Sequence, residues 1–175
     1  MLRTPAPLIG ALGVMNSRVG NTLLHFGANE SLIRAFVDSR VRFILIGGLA
    51  ISWYCPERTA DDMDLLVRPS TTNSNRIASA LSSLKLLGFN EESFTKPNLQ
   101  VPLKHLLYAE LLTPRSDAPT YEEIESRAIN GKLYNIPIQI ASVEDLITMK
   151  RAAAMDLGAD PKHNIDIGLL TRHDA

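Results

Sequence analysis

The chain has 175 residues, of which 45% are hydrophobic and 21% are charged, and its formal net charge is -1. This composition is that of an ordinary globular protein with a hydrophobic core. The near-zero charge argues against a general affinity for the nucleic-acid backbone or for anionic membranes. Since Cys55 is the only cysteine, no intrachain disulfide can form, and a reducing, cytoplasmic location is expected.

The N-terminal segment offers no strong targeting or membrane signal. Residues 1–16 contain two prolines and a short apolar stretch, and no apolar run in the chain approaches the roughly 18 residues that cross a bilayer. We expect a flexible arm here, rather than a signal peptide, and no membrane partner. From Ser17 to Ser39 the apolar residues recur at helical spacing, which predicts one or two amphipathic helices broken near Gly27.

The middle of the chain alternates strand and helix patterns. "RFILIGG" reads as a short buried strand, "LAISWYC" as a helix and "MDLLVRP" as a second strand. The apolar spacing over residues 72–87 predicts a helix closed by Gly88.

The second half continues the alternation. "HLLYAELLTP" is predicted to be a third strand, residues 117–130 a loop with a short helix, and "KLYNIPIQIA" an edge strand, because a proline cannot donate to a sheet ladder. Ser142 has the spacing of a helix cap. A helix to about Asp156 and a last helix over residues 162–170 complete the chain.

These elements predict an α/β (α+β) fold with a small mixed sheet flanked by helices. Residues 17–175 form a single domain in this interpretation. It comprises a helical N-terminal part (17–40), a core (41–141) and C-terminal helices (142–171).

Two acids at the start of the second strand are the first candidate site residues. Asp62 and Asp64 are two apart, so on a strand their side chains share one face. Two such carboxylates repel unless one is protonated or a cation lies between them. Oxygen ligands of this kind suit Mg²⁺, which usually takes one or two protein carboxylates together with water and substrate phosphates.

A glycine pair precedes these acids. Gly47 and Gly48 lie at a strand-to-helix junction, where backbone N–H groups can approach a phosphate at a helix N-terminus. Each feature alone is weak evidence, since a glycine pair is often only a tight turn and an acid pair often only a solvated strand end. Their order and spacing together indicate a nucleotide site.

The stretch "IGGLAISWYCPERTADDMDLLV" resembles the signature of the nucleotidyltransferase fold that DNA polymerase β shares. It is most similar to the minimal bacterial branch that includes abortive-infection toxins and antibiotic nucleotidyltransferases. The matching residues are Gly47, Gly48, Arg58, Thr59, Asp62 and Asp64. "YAELLTP" resembles the later strand of this fold that carries a third acid, which is Glu110 here. "IASVEDLITMKRAA" resembles the start of its helical part, where a lysine, Lys150 here, reaches toward the phosphates.

The resemblance implies transfer of a nucleoside monophosphate from a nucleoside triphosphate to a hydroxyl. It implies two Mg²⁺ ions held by Asp62, Asp64 and Glu110, and a nucleotide bound by Gly47, Gly48, Lys150, Arg58 and Thr59. The acceptor would be a tRNA end, a protein or a small molecule, and a cognate antitoxin is an implied partner.

Two departures leave alternatives open. The third acid is Glu rather than the usual Asp, and Asp61 adds a neighbouring carboxylate, although Asp61 and Asp62 should face opposite ways. A catalytically inactive nucleotide- or partner-binding module on the same fold is the main alternative. A divalent-ion phosphoesterase is the third.

Overall fold

The computed structural model describes residues 17–19, 22–24, 29–156 and 161–173. The predicted arm over residues 1–16 lies outside these ranges. Eight strands form one mixed sheet in the described part, in the order β1-β2-β7-β8-β3-β4-β6-β5. The strands are β1 (Ser17–Val19), β2 (Thr22–Leu24), β3 (Phe43–Ile46), β4 (Met63–Val67), β5 (Gln100–Pro102), β6 (Ala109–Leu112), β7 (Ile129–Leu133) and β8 (Ile136–Ile140).

Seven helices accompany the sheet in the described residues. They are α1 (Asn29–Asp38), α2 (Gly47–Tyr54), α3 (Thr71–Ser83), α4 (Lys104–Leu107), α5 (Tyr121–Arg127), α6 (Val143–Asp156) and α7 (Pro161–His173). Helix α1 packs against α3, whereas α2 packs against both α6 and α7. The α/β class predicted from the sequence is therefore confirmed.

The core lies around the central strands. All four residues of β3 are buried, and in β4 every residue except Asp64 is buried. Strand β3 runs antiparallel to β4 and parallel to β8, and β4 runs parallel to β6. The continuous apolar pattern of β3 fits a strand that is covered on both faces.

Two sequence-based predictions about the sheet are wrong. Residues 17–19 and 22–24 form an antiparallel pair of strands, not a helix, and only α1 confirms the helical pattern of the N-terminal part. The apolar residues there do not distinguish the two periods over so short a stretch. The predicted break near Gly27 lies outside the described residues.

The stretch from Lys132 to Ala141 is the second correction. It is not one edge strand but part of the β7–β8 hairpin, which turns at Tyr134 and Asn135, both with positive φ. Strand β8 is interior, because it also pairs with β3 at Ile140. This pairing lies three residues after Pro137. Pro137 is tolerated because the pairing does not require an N–H group at residue 137.

The remaining elements differ from the prediction in three places. Helix α3 ends at Ser83, before a left-handed Lys85, and not at Gly88, and strand β5 has no counterpart in the prediction. The predicted third strand begins later than expected, because residues 104–107 form one helical turn and Tyr108 adopts a left-handed conformation before β6. Ser142 caps α6 as predicted: its Oγ accepts the N–H of Asp145 at 3.1 Å. Within the described residues, no helix is both long and apolar enough to cross a membrane.

Candidate nucleotide site

The predicted acids of β4 and β6 lie side by side. Asp64 is directly opposite Ile46 of β3 and, on its other side, directly opposite Glu110 of β6. Residues opposite each other in adjacent strands point to the same face of the sheet. The structure therefore brings the side chains of Asp64 and Glu110 to one face, while the fully buried Met63 lies on the other.

The other acids differ in their surroundings. Glu110 is buried, with 8% of its surface exposed, whereas Asp62, just before β4, is half-buried and Asp61 is exposed. Both Asp61 and Asp62 lie in the bend that precedes β4, so the alternation expected along the strand applies to Asp64 and not to them. The exposure of Asp61 agrees with its exclusion as a ligand.

Gly47 is the point where β3 meets the acids. It has a φ of +68°, a conformation that side-chain-bearing residues rarely adopt. A Cβ atom at Gly47 would overlap Oδ2 of Asp64 and would lie 2.8 Å from its Cγ. Glycine is required here for both reasons, and it lets the carboxylate of Asp64 lie against the first turn of α2.

The N-terminus of α2 carries no compensating acid of its own. Its cap residue is Ile46, whose side chain makes no capping hydrogen bond, and the first turn contains no acidic residue. A helix N-terminus has a partial positive charge and N–H groups without helical partners. The first turn of α2 therefore has the donors and the partial charge that an anion requires.

Arg58 covers the second glycine. Its Nη2 lies 3.2 Å from the position that a Cβ of Gly48 would occupy, and its Nη1 donates to the carbonyl oxygen of Thr59. Ser52 on α2 donates from Oγ to the carbonyl oxygens of Gly48, at 3.1 Å, and of Arg58. These contacts hold the loop before β4 against the glycine turn.

Lys150 and Arg58 converge on one buried carboxylate. Nε of Arg58 lies 2.5 Å from Oδ1 of Asp166, and Nζ of Lys150 lies 2.8 Å from Oδ2. The Asp166 side chain is completely buried, and the two cations are exposed by 13% and 14%. The three residues, which we call the ion triad, join the α2–β4 loop to α6 and α7 and carry one net positive charge.

The ion triad also sets the protonation of its acid. Burial alone raises the pKa of Asp166, but the hydrogen bonds and charges of Arg58 and Lys150 outweigh it and hold the pKa below its usual value. Asp166 is therefore ionised near neutral pH. Asp166 was not among the residues predicted from the sequence. It could have been found because it lies four positions before the apolar Leu170 in the predicted last helix, and residues four apart share a helix face.

Metal binding depends on how many ligands the chain supplies. Across residues 29–156 and the other described segments, no group of three or more His, Cys, Asp or Glu side chains is placed so that it could hold a metal ion. The donor chemistry nevertheless fits Mg²⁺, since two carboxylates share a face beside the anion-receptive turn. Mg²⁺ commonly takes only one or two protein carboxylates and completes its shell with phosphate and water.

The aromatic residues that follow the glycines have structural roles. Trp53 is buried, and its Cη2 lies 3.2 Å from the position that a Cβ of Gly131 on β7 would occupy. The hydroxyl of Tyr54 donates to the carbonyl oxygen of Ala141 at 2.8 Å, and burial raises its pKa to about 12. Cys55 is buried, and burial raises the pKa of its thiol, so it is not an activated nucleophile.

A cavity of about 350 Å³ lies away from the candidate site. It opens beside Phe43, at the other end of β3 from Gly47, and none of the predicted site residues lines it. Among the described residues, no acid lines this cavity, and its lining arginine, Arg42, is paired with Glu125. The nucleotide is therefore not placed there, because the cavity offers no carboxylate to hold a metal-bound phosphate.

No protein-family model matches the sequence, and no curated protein matches it. Solved structures do resemble it. The crystal structure of ANT(2")-Ia in complex with adenylyl-2"-tobramycin superimposes with a TM-score of 0.56 at 16% identity, covering 83% of this chain and 87% of that one. A solution structure of the antibiotic-resistance factor ANT(2")-Ia gives 0.55 at 14% identity, over 83% and 82% of the two chains.

A third neighbour is an antigenic nucleotidyltransferase-like protein from Paracoccidioides brasiliensis. It gives a TM-score of 0.53 at 15% identity and covers 81% of this chain and 73% of that chain. Identities this low establish the fold and not the substrate. The chain has the nucleotidyltransferase fold, which confirms the resemblance drawn from the sequence.

The close approach of Gly47 to Asp64 predicts a graded effect of alanine. Gly88 also has a positive φ, +100°, but a Cβ there would meet nothing within 4 Å. We expect Gly88→Ala to lose about 1–3 kcal/mol of unfolding free energy through backbone strain alone. Gly47→Ala should lose about 1–3 kcal/mol more, because of the overlap with Asp64. Chemical denaturation measures both, and equal losses would contradict the overlap.

The ion triad predicts an acid-dependent loss of stability. Because the pKa of Asp166 is lowered in the folded state, its stabilising contribution is complete above the unfolded value of about 4 and is lost as the pH falls through the lower folded value. Asp166→Asn leaves two buried cations unpaired and should cost about 3–5 kcal/mol at pH 7.

The difference in melting temperature between Asp166→Asn and the unsubstituted protein should narrow as the pH falls below about 4. Asp117 is the matched control, because a hydrogen bond from Arg115 lowers its pKa too, but at an exposed position. Asp117→Asn should change stability little at any pH. A difference for Asp166→Asn that does not vary with pH would argue against the ion triad.

Proposed function

We propose that this chain is a Mg²⁺-dependent nucleotidyltransferase, which transfers a nucleoside monophosphate from a nucleoside triphosphate to a hydroxyl. The observation that carries the proposal is the pairing of Asp64 with Glu110, opposite the Gly47–Gly48 turn. The fold of ANT(2")-Ia supports it, because the same architecture there accompanies an adenylylated antibiotic. Because fold alone does not imply activity, the proposal rests on the paired acids Asp64 and Glu110.

The acids have separate roles in this proposal. Asp62 and Asp64 would hold the metal, with Glu110 as the third ligand from the adjacent strand. Mg²⁺, one ion or two, would neutralise charge on the attacking and leaving oxygens. The buried Glu110 would take the proton of the acceptor hydroxyl as its oxygen bonds to the α-phosphorus. The bond from the α-phosphorus to the β-phosphate then breaks, and pyrophosphate leaves.

The glycine turn and the ion triad would hold the phosphates. Backbone N–H groups of Gly47 and Gly48 at the start of α2 provide donors for an anion. The ion triad adds one net positive charge beside Gly48, where Arg58 lies. Lys150, the member of the ion triad on α6, would balance the charge of the triphosphate. Thr59, which follows Arg58 in the loop before β4, would also contact the nucleotide.

The acceptor is proposed at the level of its chemistry. It carries a hydroxyl and belongs to a tRNA end, a protein or a small molecule, and the net charge of -1 disfavours an extended RNA contact. On the strength of the sequence resemblance, the proposal includes a role as a toxin that a cognate antitoxin neutralises. It also includes a cytoplasmic location, because a chain with one cysteine suits a reducing compartment.

An inactive binding module is the second candidate. The observation that favours it is that the described residues do not gather three acids at a metal-holding distance. In that case the glycine turn and the ion triad would bind a nucleotide without turning it over. The two functions differ in whether the nucleoside monophosphate is transferred from the bound nucleotide to an acceptor.

The first test is transfer of α-labelled nucleotide to components of a bacterial lysate, with each of the four triphosphates and Mg²⁺. We expect label in RNA, protein or a small molecule with the unsubstituted protein. Asp64→Asn should reduce transfer by at least about 100-fold, because the metal site loses a charged ligand. The fraction that carries label identifies the acceptor class.

Asp61 provides the control for this experiment, since it is an exposed acid three residues from Asp64. Asp61→Asn should keep full transfer. Tight binding of Mg²⁺-nucleotide without transfer would select the inactive module. Failure of both transfer and binding would contradict the site itself, and growth arrest on expression that Asp64→Asn relieves is the result expected of a toxin.

A second prediction concerns Lys150. Lys150→Met removes one charge but keeps the length of the side chain, so it should raise the nucleotide KM about tenfold or more, the effect of a charge-assisted hydrogen bond. Lys132→Met on β7 is the control, because Lys132 is exposed and lies outside the ion triad. Steady-state kinetics at saturating acceptor measure both, and an unchanged KM for Lys150→Met would remove Lys150 from the nucleotide site.

A further inference from the structure

Asn29 is a buried polar residue that is connected to the candidate site through backbone carbonyl groups. It is the first residue of α1 and is completely buried. Its Nδ2 donates to the carbonyl oxygens of Leu107 and, at 3.2 Å, of Tyr108. The orientation of the amide follows from chemistry, because only the NH₂ group can donate to two carbonyls.

The carbonyl of Tyr108 connects Asn29 with both acid-bearing strands. It also accepts the backbone N–H of Met63 at 2.8 Å, and Met63 lies between Asp62 and Asp64. Tyr108 itself precedes Glu110 by two residues and is held in a left-handed conformation, with a φ of 48°. One carbonyl group thus fixes the start of β4 and the start of β6 relative to each other.

The side-chain oxygen of Asn29 lowers the stability of the fold. This Oδ1 atom is buried and has no hydrogen-bond partner among the residues that the structure describes, and an unsatisfied buried acceptor costs about 1–3 kcal/mol. An apolar side chain would avoid that cost, but it would release the two carbonyls. The benefit of the amide is therefore positional: it holds the junction from which Glu110 and the β4 acids project.

We propose that Asn29 is a positioning residue for the metal-binding acids. It would keep the carboxylates of Asp64 and Glu110 in register by clamping the α4–β6 junction to α1. Residues that orient metal ligands typically change metal affinity by 10–100-fold when they are removed. The inference rests on the proposed function, since it requires that these acids bind a divalent ion.

Asn73 supplies a matched control in the same molecule. It is also a buried asparagine near the start of a helix, with 2% of its surface exposed. Its Nδ2 donates to the carbonyls of Arg42 and Arg68, both at 3.0 Å, and its Oδ1 accepts the N–H of Arg42. It therefore clamps β3 to β4 at the ends of these strands that lie away from Gly47 and Asp64.

The test uses Mn²⁺ as the probe ion, with and without pyrophosphate, and follows the free Mn²⁺ signal by electron paramagnetic resonance. Asn29→Ala should raise the Mn²⁺ Kd by about tenfold or more. Asn29→Leu keeps the branched outline of the side chain and removes both polar groups, so it should still raise the Kd, and its melting temperature shows how far the larger side chain disturbs the fold. Asn73→Ala should lower the melting temperature as much as Asn29→Ala, or more, with a Kd within about twofold of the unsubstituted value.

The outcomes separate the two claims. If the unsubstituted protein binds Mn²⁺ and Asn29→Leu binds it equally well, the positioning role is wrong while the proposed function stands. If Asn73→Ala raises the Kd as much as Asn29→Ala, the effect is general destabilisation and the positioning role is again wrong. If the unsubstituted protein binds no Mn²⁺ with or without pyrophosphate, the proposed metal site fails and the inference falls with it.

Discussion

The contact between Gly47 and Asp64 is the constraint on which the candidate site depends. The carboxylate of Asp64 occupies the space that any side chain at residue 47 would need, and the positive φ of Gly47 turns β3 directly into α2. An acid therefore lies against a helix N-terminus, the one end of a helix where negative charge is favoured. A metal-bound phosphate beside this junction would meet both the carboxylate and the helix N-terminus, which is why the proposed function places the nucleotide here.

The ion triad joins the C-terminal helices to the same junction. Helices α6 and α7 contribute Lys150 and Asp166, and Arg58 reaches them from the loop beside Gly48. Removing three charged groups from water is costly, and their mutual attraction offsets that cost only when the geometry is good. The arrangement makes the excess positive charge part of the fold and places it close to Gly48, where Arg58 lies.

The strand-to-helix turn at Gly47 could be predicted from the sequence, whereas the order of the sheet could not. Gly47 and Asp64 could be identified because each depends on local order: a strand, a turn, and alternation along the next strand. The pairing of Asp64 with Glu110 depends on strand order, which the spacing alone does not determine. Asp166 was missed because its partners lie on other elements, Arg58 in a loop 108 positions earlier and Lys150 on the preceding helix. The β7–β8 hairpin was misread since its turn residues, Tyr134 and Asn135, include no glycine.

The most direct measurement is a crystal structure with Mg²⁺ and a triphosphate whose α–β bridge cannot be cleaved. The account predicts Mg²⁺ density in contact with Asp64 and Glu110, and triphosphate oxygens within hydrogen-bond distance of the Gly47 and Gly48 N–H groups. Lys150 should face the phosphates while Asp166 keeps its bond to Arg58. A nucleotide bound elsewhere, for example in the cavity beside Phe43, with Asp64 and Glu110 far from any ion, would contradict the central claim.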